Sequence, residues 1–247
     1  MIWTLHGHAS TRAILIEKMK GFVIAVICAL AIGTANALIS GSGTTTRYWD
    51  CCKPSCGWKE NVGTLDPVHS CAKDGVTIID ASVPSGCLAE GSAYVCNNLQ
   101  PWAVNDSFAY GFVAASFTGG ADNSLCGICL KLTFTNNLAG KTFIVQNINT
   151  GGDLGTNQFD IQIPGGGVGI FTLGCQTQWN APPAGWGQQY GGVSSDSECD
   201  SLPSELQAGC HWRFGWYANA DNPQVNFEQI VCPSELTDRS GIINNNL

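Results

Sequence analysis

Short stretches of alternating apolar and polar residues are the clearest pattern along the chain. In residues 159–163, Phe-Asp-Ile-Gln-Ile, the three apolar side chains fall on one face, and Asp160 and Gln162 fall on the other. This is the pattern of a β-strand with one buried face. Comparable patterns predict further strands over residues 130–135, 143–145, 212–216 and 225–228. The segment 212–216 is included because its three aromatic residues occupy alternate positions.

One segment has a helical period instead. Val104, Phe108 and Phe112 are spaced four residues apart, and Pro101 precedes them, where a missing N–H does no harm to a helix. We therefore predict a helix over residues 101–116. Residues 54–100 show little periodicity and contain four cysteines, which indicates loops held by disulfides. Many short strands, one helix and such loops favour an all-β fold in the form of a small closed barrel.

The first 37 residues have the pattern of a secretory leader. Lys18 and Lys20 precede an apolar run at residues 22–32, and Ala-Asn-Ala at residues 35–37 follows as a cleavage signal. The run has 11 residues, fewer than the roughly 20 of a transmembrane helix. We expect residues 1–37 to be leader and signal peptide, with Met19 as the start. The protein is then secreted, and residues 38–247 form a single domain.

The cysteines agree with export. Cys28 lies in the leader, and the other twelve of the 13 form an even set, which predicts six disulfides. Cys126 and Cys129 have the spacing of a redox or zinc motif. The chain after the leader contains no second such motif and only two histidines, His69 and His211. We therefore expect neither a metal nor a cofactor.

The charge of the chain restricts its partners. Removing the leader takes away three basic residues and one acidic residue, which leaves 8 Lys and Arg against 18 Asp and Glu, a net charge of −10. So acidic a chain is poorly matched to nucleic acids and other polyanions, and it favours a neutral substrate. We expect no nucleic-acid partner, no membrane insertion and a monomer.

Two aspartates are candidates for catalysis. Alternation places Asp160 off the core face, and glycine-rich segments at residues 151–155 and 165–167 flank its strand, so a bulky ligand could approach the backbone closely there. Asp50 lies between aromatic residues and a pair of adjacent cysteines, and alternation is expected to put it on one face with Tyr48 and Cys52. Two fixed carboxylates are the minimum equipment for cleaving a glycosidic bond. Each aspartate alone is also compatible with a structural role as a hydrogen-bond acceptor.

Tryptophan is abundant, with seven residues after the leader. Trp58, Trp179 and Trp186 lie in segments rich in Gly, Pro and Gln, which are typical of loops. Exposed indole rings cover the flat apolar faces of pyranoses well, although loop tryptophans also pack over disulfides. These residues agree with a carbohydrate substrate without requiring one.

Taken in order, these segments resemble glycoside hydrolase family 45, the secreted inverting endo-β-1,4-glucanases. The most specific matches are Thr-Arg-Tyr-Trp-Asp-Cys-Cys-Lys-Pro-Ser-Cys-Gly-Trp at residues 46–58, and Phe159-Asp160 leading to Ile-Pro-Gly-Gly-Gly-Val-Gly-Ile-Phe at residues 163–171. Further matching segments lie at residues 101–106, 150–155, 190–192 and 219–223. The resemblance covers about residues 46 to 240.

The resemblance implies an all-β fold, a six-stranded double-psi β-barrel crossed by an open groove, with long disulfide-held loops and few short helices. It implies that Asp50 is the general base that activates water, that Asp160 is the general acid, and that Asp153 is an accessory carboxylate on a mobile loop. Inversion needs a water molecule between base and sugar, so we expect the carboxyl groups of Asp50 and Asp160 to lie roughly 6.5–9.5 Å apart.

The same resemblance implies further contacts and bonds. Tyr48 and Trp58 match aromatic residues that contact sugar, and we expect Thr46 and Tyr190 to bind substrate with them. The implied disulfides are Cys51–Cys175, Cys52–Cys87, Cys56–Cys126, Cys71–Cys96, Cys129–Cys232 and Cys199–Cys210.

The chain departs from the family pattern in two places. Gly127 and Ile242 stand where the familiar members carry a seventh bonded pair, and loss of that bridge should cost roughly 2–4 kcal/mol. Gln158 stands two residues before the acid, where other members carry histidine. Because glutamine cannot titrate, we expect the environment of the acid and the pH optimum to shift.

We therefore expect an enzyme, an endo-acting hydrolase of internal β-1,4-glucosidic bonds in cellulose or a related β-glucan. We expect no carbohydrate-binding module, and so a soluble or amorphous substrate. Xyloglucan and glucomannan are alternative substrates for the same fold. The non-catalytic alternatives are an expansin-like polysaccharide-binding protein and a barwin-type defence protein. Expansins resemble the family without its base, so the retention of Asp50 in its full motif favours hydrolysis.

Overall fold

The computed structural model of the protein describes residues 38–244, and the expected leader at residues 1–37 lies outside this range. The strands are β1 (Ser40–Tyr48), β2 (Ser70–Cys71), β3 (Ile78–Ile79), β4 (Tyr94–Val95), β5 (Trp102–Asn105), β6 (Phe108–Ser116), β7 (Cys129–Phe134), β8 (Thr142–Thr150), β9 (Gln158–Gln162) and β10 (Gln224–Ile230). The helices are α1 (Lys59–Val62), α2 (Leu173–Trp179), α3 (Ser204–Phe214) and α4 (Ser234–Ser240). Along the described residues, no helix has the length and apolar character needed to cross a membrane.

Six strands close into a barrel. Their hydrogen-bonded order is β6-β8-β7-β10-β1-β9, and β9 pairs back with β6 to complete the ring. The pairs β1–β9 and β6–β8 are parallel, and the other four pairs are antiparallel. The long strand β6 pairs with β5 through its first half and with β9 through its second half. The predicted six-stranded barrel with few short helices is confirmed.

The barrel encloses an aromatic and aliphatic core. Phe143, Phe159 and Phe227, from three different strands, are buried in it, and the rings of Phe159 and Phe227 meet edge to face with centroids 5.0 Å apart. Burying each such side chain is worth roughly 2–3 kcal/mol. A second cluster lies on the other face of β6, where Tyr110 and Phe112 pack against residues of the loops and helices.

The strands predicted near residues 130–135, 143–145, 159–163 and 225–228 are confirmed as β7, β8, β9 and β10. The helix predicted over residues 101–116 is wrong, because these residues form the hairpin of β5 and β6. Both faces of β6 are buried, so its sequence is apolar at almost every position and lacks the alternation of a half-exposed strand. The four-residue spacing of its aromatic residues imitated a helical stripe.

The strand predicted over residues 212–216 is also wrong, since α3 continues to Phe214. Trp212 and Trp216 are four residues apart, a spacing that places two side chains on one side of a helix. Their rings stack with centroids 5.1 Å apart, and both rings pack against Phe143 in the barrel core. The four-residue spacing of the two tryptophans therefore indicated the helical structure correctly, whereas the two-residue spacing of the aromatic residues wrongly indicated a strand.

Residues 54–100 are largely irregular, as predicted, apart from α1, short 3₁₀ turns and the small sheet β3-β2-β4. Six disulfides hold these and the other loops against the barrel, and they join the same pairs that the family resemblance implies. Cys51–Cys175 connects the residues after β1 to α2, and Cys52–Cys87 connects the neighbouring residue to the loop before β4. The end of β1 is thus fixed by two covalent bonds.

Gly127 and Ile242 lie in contact, although neither can form a disulfide. A Cβ atom placed on Gly127 would be 2.9 Å from Cγ1 of Ile242, whose side chain is fully buried. Gly127 has φ of +81°, a conformation that glycine adopts without a steric penalty. An apolar contact therefore occupies the place where the resemblance puts a seventh bridge in other members.

We predict that Ile242→Ala lowers the free energy of unfolding by about 2–5 kcal/mol, because it opens a cavity beside Gly127. The matched control is Ile243→Ala, since Ile243 is 56% exposed and its truncation should change stability by less than about 0.5 kcal/mol. Denaturant unfolding with the disulfides intact, followed by tryptophan fluorescence, measures both variants. Equal losses in the two would contradict the prediction.

Candidate active site

A cavity of about 390 Å³ opens beside the parallel strands β1 and β9. The residues of its lining that bear on chemistry are Thr46, Tyr48, Asp153, Gln158, Asp160 and Tyr190. The two strands are in register, with Thr46 opposite Asp160. Since residues opposite each other in a sheet point to the same face, the pairing brings these two side chains together.

The glycine run after β9 packs backbone against backbone at the edge of this cavity. The Trp49 N–H donates a hydrogen bond of 2.7 Å to the Gly167 carbonyl. A Cβ atom on Gly166 would lie 3.1 Å from the Tyr48 nitrogen, and one on Gly167 would lie 2.8 Å from the Gln189 carbonyl oxygen. The absence of side chains therefore lets this segment lie directly against the end of β1, in addition to leaving room for a ligand.

Asp160 lies in the middle of β9, between β1 and β6. The Thr46 hydroxyl donates a hydrogen bond of 2.7 Å to its Oδ1 atom. Burial raises the pKa of Asp160 to about 7, because the charged form loses its hydration. The hydrogen bond from Thr46 opposes this shift, while the negative charges of Asp153 and Asp50 add to it.

Asp50 lies two residues beyond the end of β1 and is only 9% exposed. Its Oδ1 atom accepts a hydrogen bond of 2.9 Å from the Cys52 N–H. Burial raises the pKa of Asp50 to about 6, although the backbone N–H groups that it accepts from oppose the shift. The alternation expected through Tyr48, Asp50 and Cys52 is interrupted, because β1 ends at Tyr48 and Cys51 has φ of +63°.

Asp153 is exposed on the loop of residues 151–157 that joins β8 to β9. Its charge raises the pKa of both Asp50 and Asp160, so the three carboxyl groups interact electrostatically. The loop is attached to β9 by a hydrogen bond of 2.8 Å from the Gly155 N–H to Gln158 Oε1. The structure therefore brings together the three carboxyl groups that the sequence singled out.

Tyr48 is held at the cavity by two side chains that the sequence analysis did not identify. Asn149 donates a hydrogen bond of 3.0 Å to the Tyr48 hydroxyl, which in turn donates one of 3.0 Å to Gln162 Oε1. Burial, together with the charges of Asp50 and Asp160, raises the pKa of Tyr48, so its hydroxyl stays protonated. The only signal for Gln162 in the sequence was its place on the same strand face as Asp160.

Two arginines support the rim that carries Tyr190. Arg47 Nε and Arg213 Nη1 both donate hydrogen bonds to the Gly191 carbonyl, at 3.2 and 3.0 Å. Arg47 also pairs with the exposed Asp221 at 3.4 Å, and its positive charge lowers the pKa of Asp160 slightly against the effect of burial. The sequence analysis missed Arg47, although it lies within the specific motif at residues 46–58.

The predicted sugar-contacting residues are in two places. Thr46, Tyr48 and Tyr190 line the cavity, and Tyr190 is 65% exposed. Trp58 lies in a separate depression with Asp80, and the Lys53 ammonium group is 3.8 Å from the centre of its ring. A bound glucan would reach Trp58 only by extending from the cavity into this second depression.

The other two loop tryptophans, Trp179 and Trp186, pack into the cluster outside the barrel. Trp186 is buried there, so its ring presents no open face to a sugar.

One cluster in the described part of the chain has residue types that bind metals, namely Asp196, Cys199 and His211. Cys199 is bonded to Cys210, so its sulfur is not available as a thiolate ligand. The two ring nitrogens of His211 face Asp196 at 2.8 Å and Asp200 at 3.4 Å. These contacts describe a surface ion pair, and the neighbouring acids raise the pKa of His211.

On this closed β-barrel, Asp160 lines an open cavity and its carboxyl group interacts electrostatically with those of Asp153 and Asp50. A pair of carboxyl groups at an open cavity is the equipment that glycoside hydrolases use. The model of glycosyl hydrolase family 45 matches residues 42–243. The chain belongs to this family.

Named relatives agree with this assignment. The chain is 53% identical over 223 residues to an endoglucanase of Cryptopygus antarcticus, and the aligned region covers 90% of this chain and 96% of that protein. It is 56% identical over 200 residues to an endoglucanase of Phaedon cochleariae, and this aligned region covers 80% of this chain and 82% of that protein. The crystal structure of the cellulase from the Antarctic springtail Cryptopygus antarcticus superimposes with a TM-score of 0.80 at 54% identity, over 84% of this chain and 99% of that one.

The raised pKa of Asp160 has a consequence for stability. Its value of about 7 in the folded protein lies above the ordinary value of 3.8, so ionisation favours the unfolded chain. The carboxyl group therefore costs no stability below about pH 4 and an increasing amount as the pH rises through about 7.

We predict that Asp160→Asn raises the melting temperature at about pH 8 and leaves it unchanged at about pH 4, because asparagine removes the buried charge and keeps the acceptor for Thr46. Thermal unfolding followed by circular dichroism at both pH values measures the effect. Asp238→Asn is the control, since Asp238 is exposed on α4, and it should melt like the wild type at both. A variant that is less stable than the wild type at the higher pH would contradict the prediction.

Proposed function

We propose that the protein hydrolyses internal β-1,4-glucosidic bonds of cellulose or a related β-glucan with inversion of the anomeric carbon. The observation that carries the proposal is the pair Asp50 and Asp160. Asp160 lines the cavity, and Asp50 is buried beyond the end of β1, from where its charge raises the pKa of Asp160. The pKa values of Asp50 and Asp160 are raised to about 6 and about 7. Two carboxyl groups with separated pKa values are what acid and base roles require.

The order of the two pKa values supports the proposed roles. At a pH between the two values, Asp160 is largely protonated and Asp50 is largely ionised. Asp160 gives its proton to the glycosidic oxygen as the bond to C1 breaks. Asp50 takes a proton from a water molecule, and the oxygen of that water forms the new bond to C1 from the opposite face. Inversion requires the carboxyl groups to be roughly 6.5–9.5 Å apart, and this spacing stays a prediction.

Asp153 has an electrostatic role in this proposal. Its negative charge on the loop raises the pKa of Asp160 and so keeps the acid protonated at higher pH. The same charge stabilises positive charge that develops on the sugar ring in an oxocarbenium-like transition state. Thr46, Tyr48 and Tyr190 are proposed to bind the sugar in the cavity, with Trp58 contacting only longer chains.

The surroundings of the site fit a neutral polymer outside the cell. The cavity is open, which suits binding within a chain, and the acidic surface gives no attraction for polyanions. Six disulfides suit an oxidising compartment, so we propose that the protein is secreted. We also propose that it acts as a monomer. The expansin-like and barwin-type alternatives are not favoured, because the base is retained and the named relatives are endoglucanases.

We predict that Asp50→Ala and Asp160→Ala each lower kcat on amorphous cellulose by about 10²–10⁴-fold, because each removes a proton-transfer step. Asp153→Ala should lose about tenfold, since it removes only an electrostatic contribution. Reducing-end release from carboxymethylcellulose, amorphous cellulose, xyloglucan and glucomannan measures the losses and identifies the preferred glucan. Asp238→Ala, an exposed change on α4, is the control and should keep full activity.

The product of the first turnovers should be the α-anomer, which proton NMR detects before mutarotation. Wild-type activity in Asp160→Ala, or an initial β-anomer, would refute single displacement with Asp160 as acid.

We also predict a narrow bell-shaped pH profile for kcat/KM. Activity should fall below about 6, where Asp50 becomes protonated and cannot accept a proton, and above about 7, where Asp160 loses the proton that it must donate. Initial rates on a soluble glucan between about pH 4 and 9 measure the two limbs. A profile that is flat across this range would show that neither carboxyl group titrates in the reaction.

A further inference from the structure

A chain of hydrogen bonds connects the loop that carries Asp153 to the carboxyl group of Asp160. The Gly155 N–H donates to Gln158 Oε1 at 2.8 Å. Gln158 Nε2 donates to Thr46 Oγ1 at 3.0 Å, and the Thr46 hydroxyl donates to Asp160 Oδ1 at 2.7 Å. Three bonds in series thus join loop, strand β9 and strand β1 to the acid.

The direction of every bond in this chain is determined by chemistry. A backbone N–H can only donate, so the Gln158 amide must turn its oxygen toward Gly155 and its nitrogen toward Thr46. The amide nitrogen also can only donate, so the Thr46 hydroxyl accepts there, and its single proton points to Asp160. Oδ1 therefore accepts from Thr46, which favours Oδ2 as the oxygen that carries the proton of neutral Asp160.

We propose that Gln158 is a positioning residue for the reaction. It couples the loop at residues 151–157 to Asp160 and holds the transferable proton on Oδ2. The inference rests on the proposed function, in which Asp160 is the acid. Gln158 does not act on the substrate itself. It acts through Thr46, by fixing which way the hydroxyl proton points.

The coupling follows from the position of Gly155 within the loop. A Cβ atom on Gly155 would lie 3.2 Å from Gln158 Oε1, so the loop backbone lies close to the amide. If the loop moves away, Oε1 loses its donor, and the amide is free to rotate. Thr46 is then no longer forced to donate to Asp160, and the proton can occupy either carboxyl oxygen. Loop position thereby controls where the acid carries its proton.

The groups that face Asp160 define the background for a test by pH. They are Asp153 on the loop, Asp50 beyond β1, Arg47 and Tyr48 on β1, and Tyr217 after α3. Gln158 contributes no charge to this set. An uncharged substitution at position 158 therefore alters the titration of Asp160 through the hydrogen-bond chain alone. Introducing glutamate acts through the chain and also through one added charge.

Gln158→Glu is the main test, because it keeps the size of the side chain and removes the donor to Thr46. The Thr46 hydroxyl then turns to the introduced carboxylate, so Asp160 loses a donor and gains a negative neighbour. Both changes raise the pKa of Asp160. We expect the alkaline limb of kcat/KM on a soluble β-1,4-glucan to move upward by about one pH unit. Gln189→Glu is the charge control: it adds the same charge at the cavity without joining the chain, so it measures the electrostatic part of the shift. We expect its alkaline limb to move less than that of Gln158→Glu, and equal shifts in the two variants would contradict the inference.

A second pair of variants tests the route through Thr46. Gln158→Met breaks the chain of hydrogen bonds without adding charge, and we expect a smaller upward shift of the alkaline limb. We also expect kcat to fall while KM changes less. Thr46→Val removes the hydroxyl from the chain. If Gln158 acts only through Thr46, Gln158→Met in the Thr46→Val background causes no further shift. Additive shifts would overturn the inference.

The outcomes separate this inference from the proposed function. An inactive Asp160→Ala together with a wild-type alkaline limb in Gln158→Glu would overturn the role of Gln158 and leave the hydrolysis mechanism standing. Wild-type activity in Asp160→Ala would refute the acid role itself. Thermal unfolding of each variant shows that the measured limbs belong to folded protein, and Gln158→Met provides the test if Gln158→Glu does not fold.

Discussion

The parallel pairing of β1 with β9 is the contact on which the site depends. Its register sets Thr46 opposite Asp160, and a slip of one residue would turn every side chain of one strand to the other face. The closed ring of six strands prevents such a slip, because β1 and β9 are each held by a second neighbour. The chemistry therefore rests on a backbone arrangement that the whole barrel maintains.

Burial raises the pKa of both carboxyl groups, and local hydrogen bonds then separate the two values. Asp50 accepts from backbone N–H groups fixed by the disulfides around it, which keeps its pKa nearer to that of an ordinary aspartate. Asp160 accepts from one hydroxyl, and the negative charges of both Asp153 and Asp50 raise its pKa further. The proposed base and acid are thus the same residue type in two settings, because Asp50 lies in a rigid turn and Asp160 lies within a strand.

Alternation of apolar and polar residues in the sequence predicted those features that depend on a strand having one exposed face. Alternation found β9 and the outward direction of Asp160, and the resemblance supplied the disulfide pairs. Alternation failed for β6, since both of its faces are buried, and for the turn at Asp50, since Cys51 leaves the extended conformation. The contacts of Gln158 with Thr46 and of Arg47 with Gly191 join residues 112 and 144 positions apart. Patterns within a short window cannot reveal such partners.

The contact between Gly127 and Ile242 differs from a covalent bridge in its response to temperature. A disulfide constrains the chain equally in warm and cold solution, whereas the burial of an isoleucine is driven mainly by solvent entropy and weakens on cooling. The apolar part of the attachment of residues 242–244 therefore weakens on cooling, while the hydrogen bonds from Gln146 to the Ile242 carbonyl and from Asn244 to the Cys126 carbonyl remain. Because no covalent bond is involved between Gly127 and Ile242, redox conditions do not affect this contact.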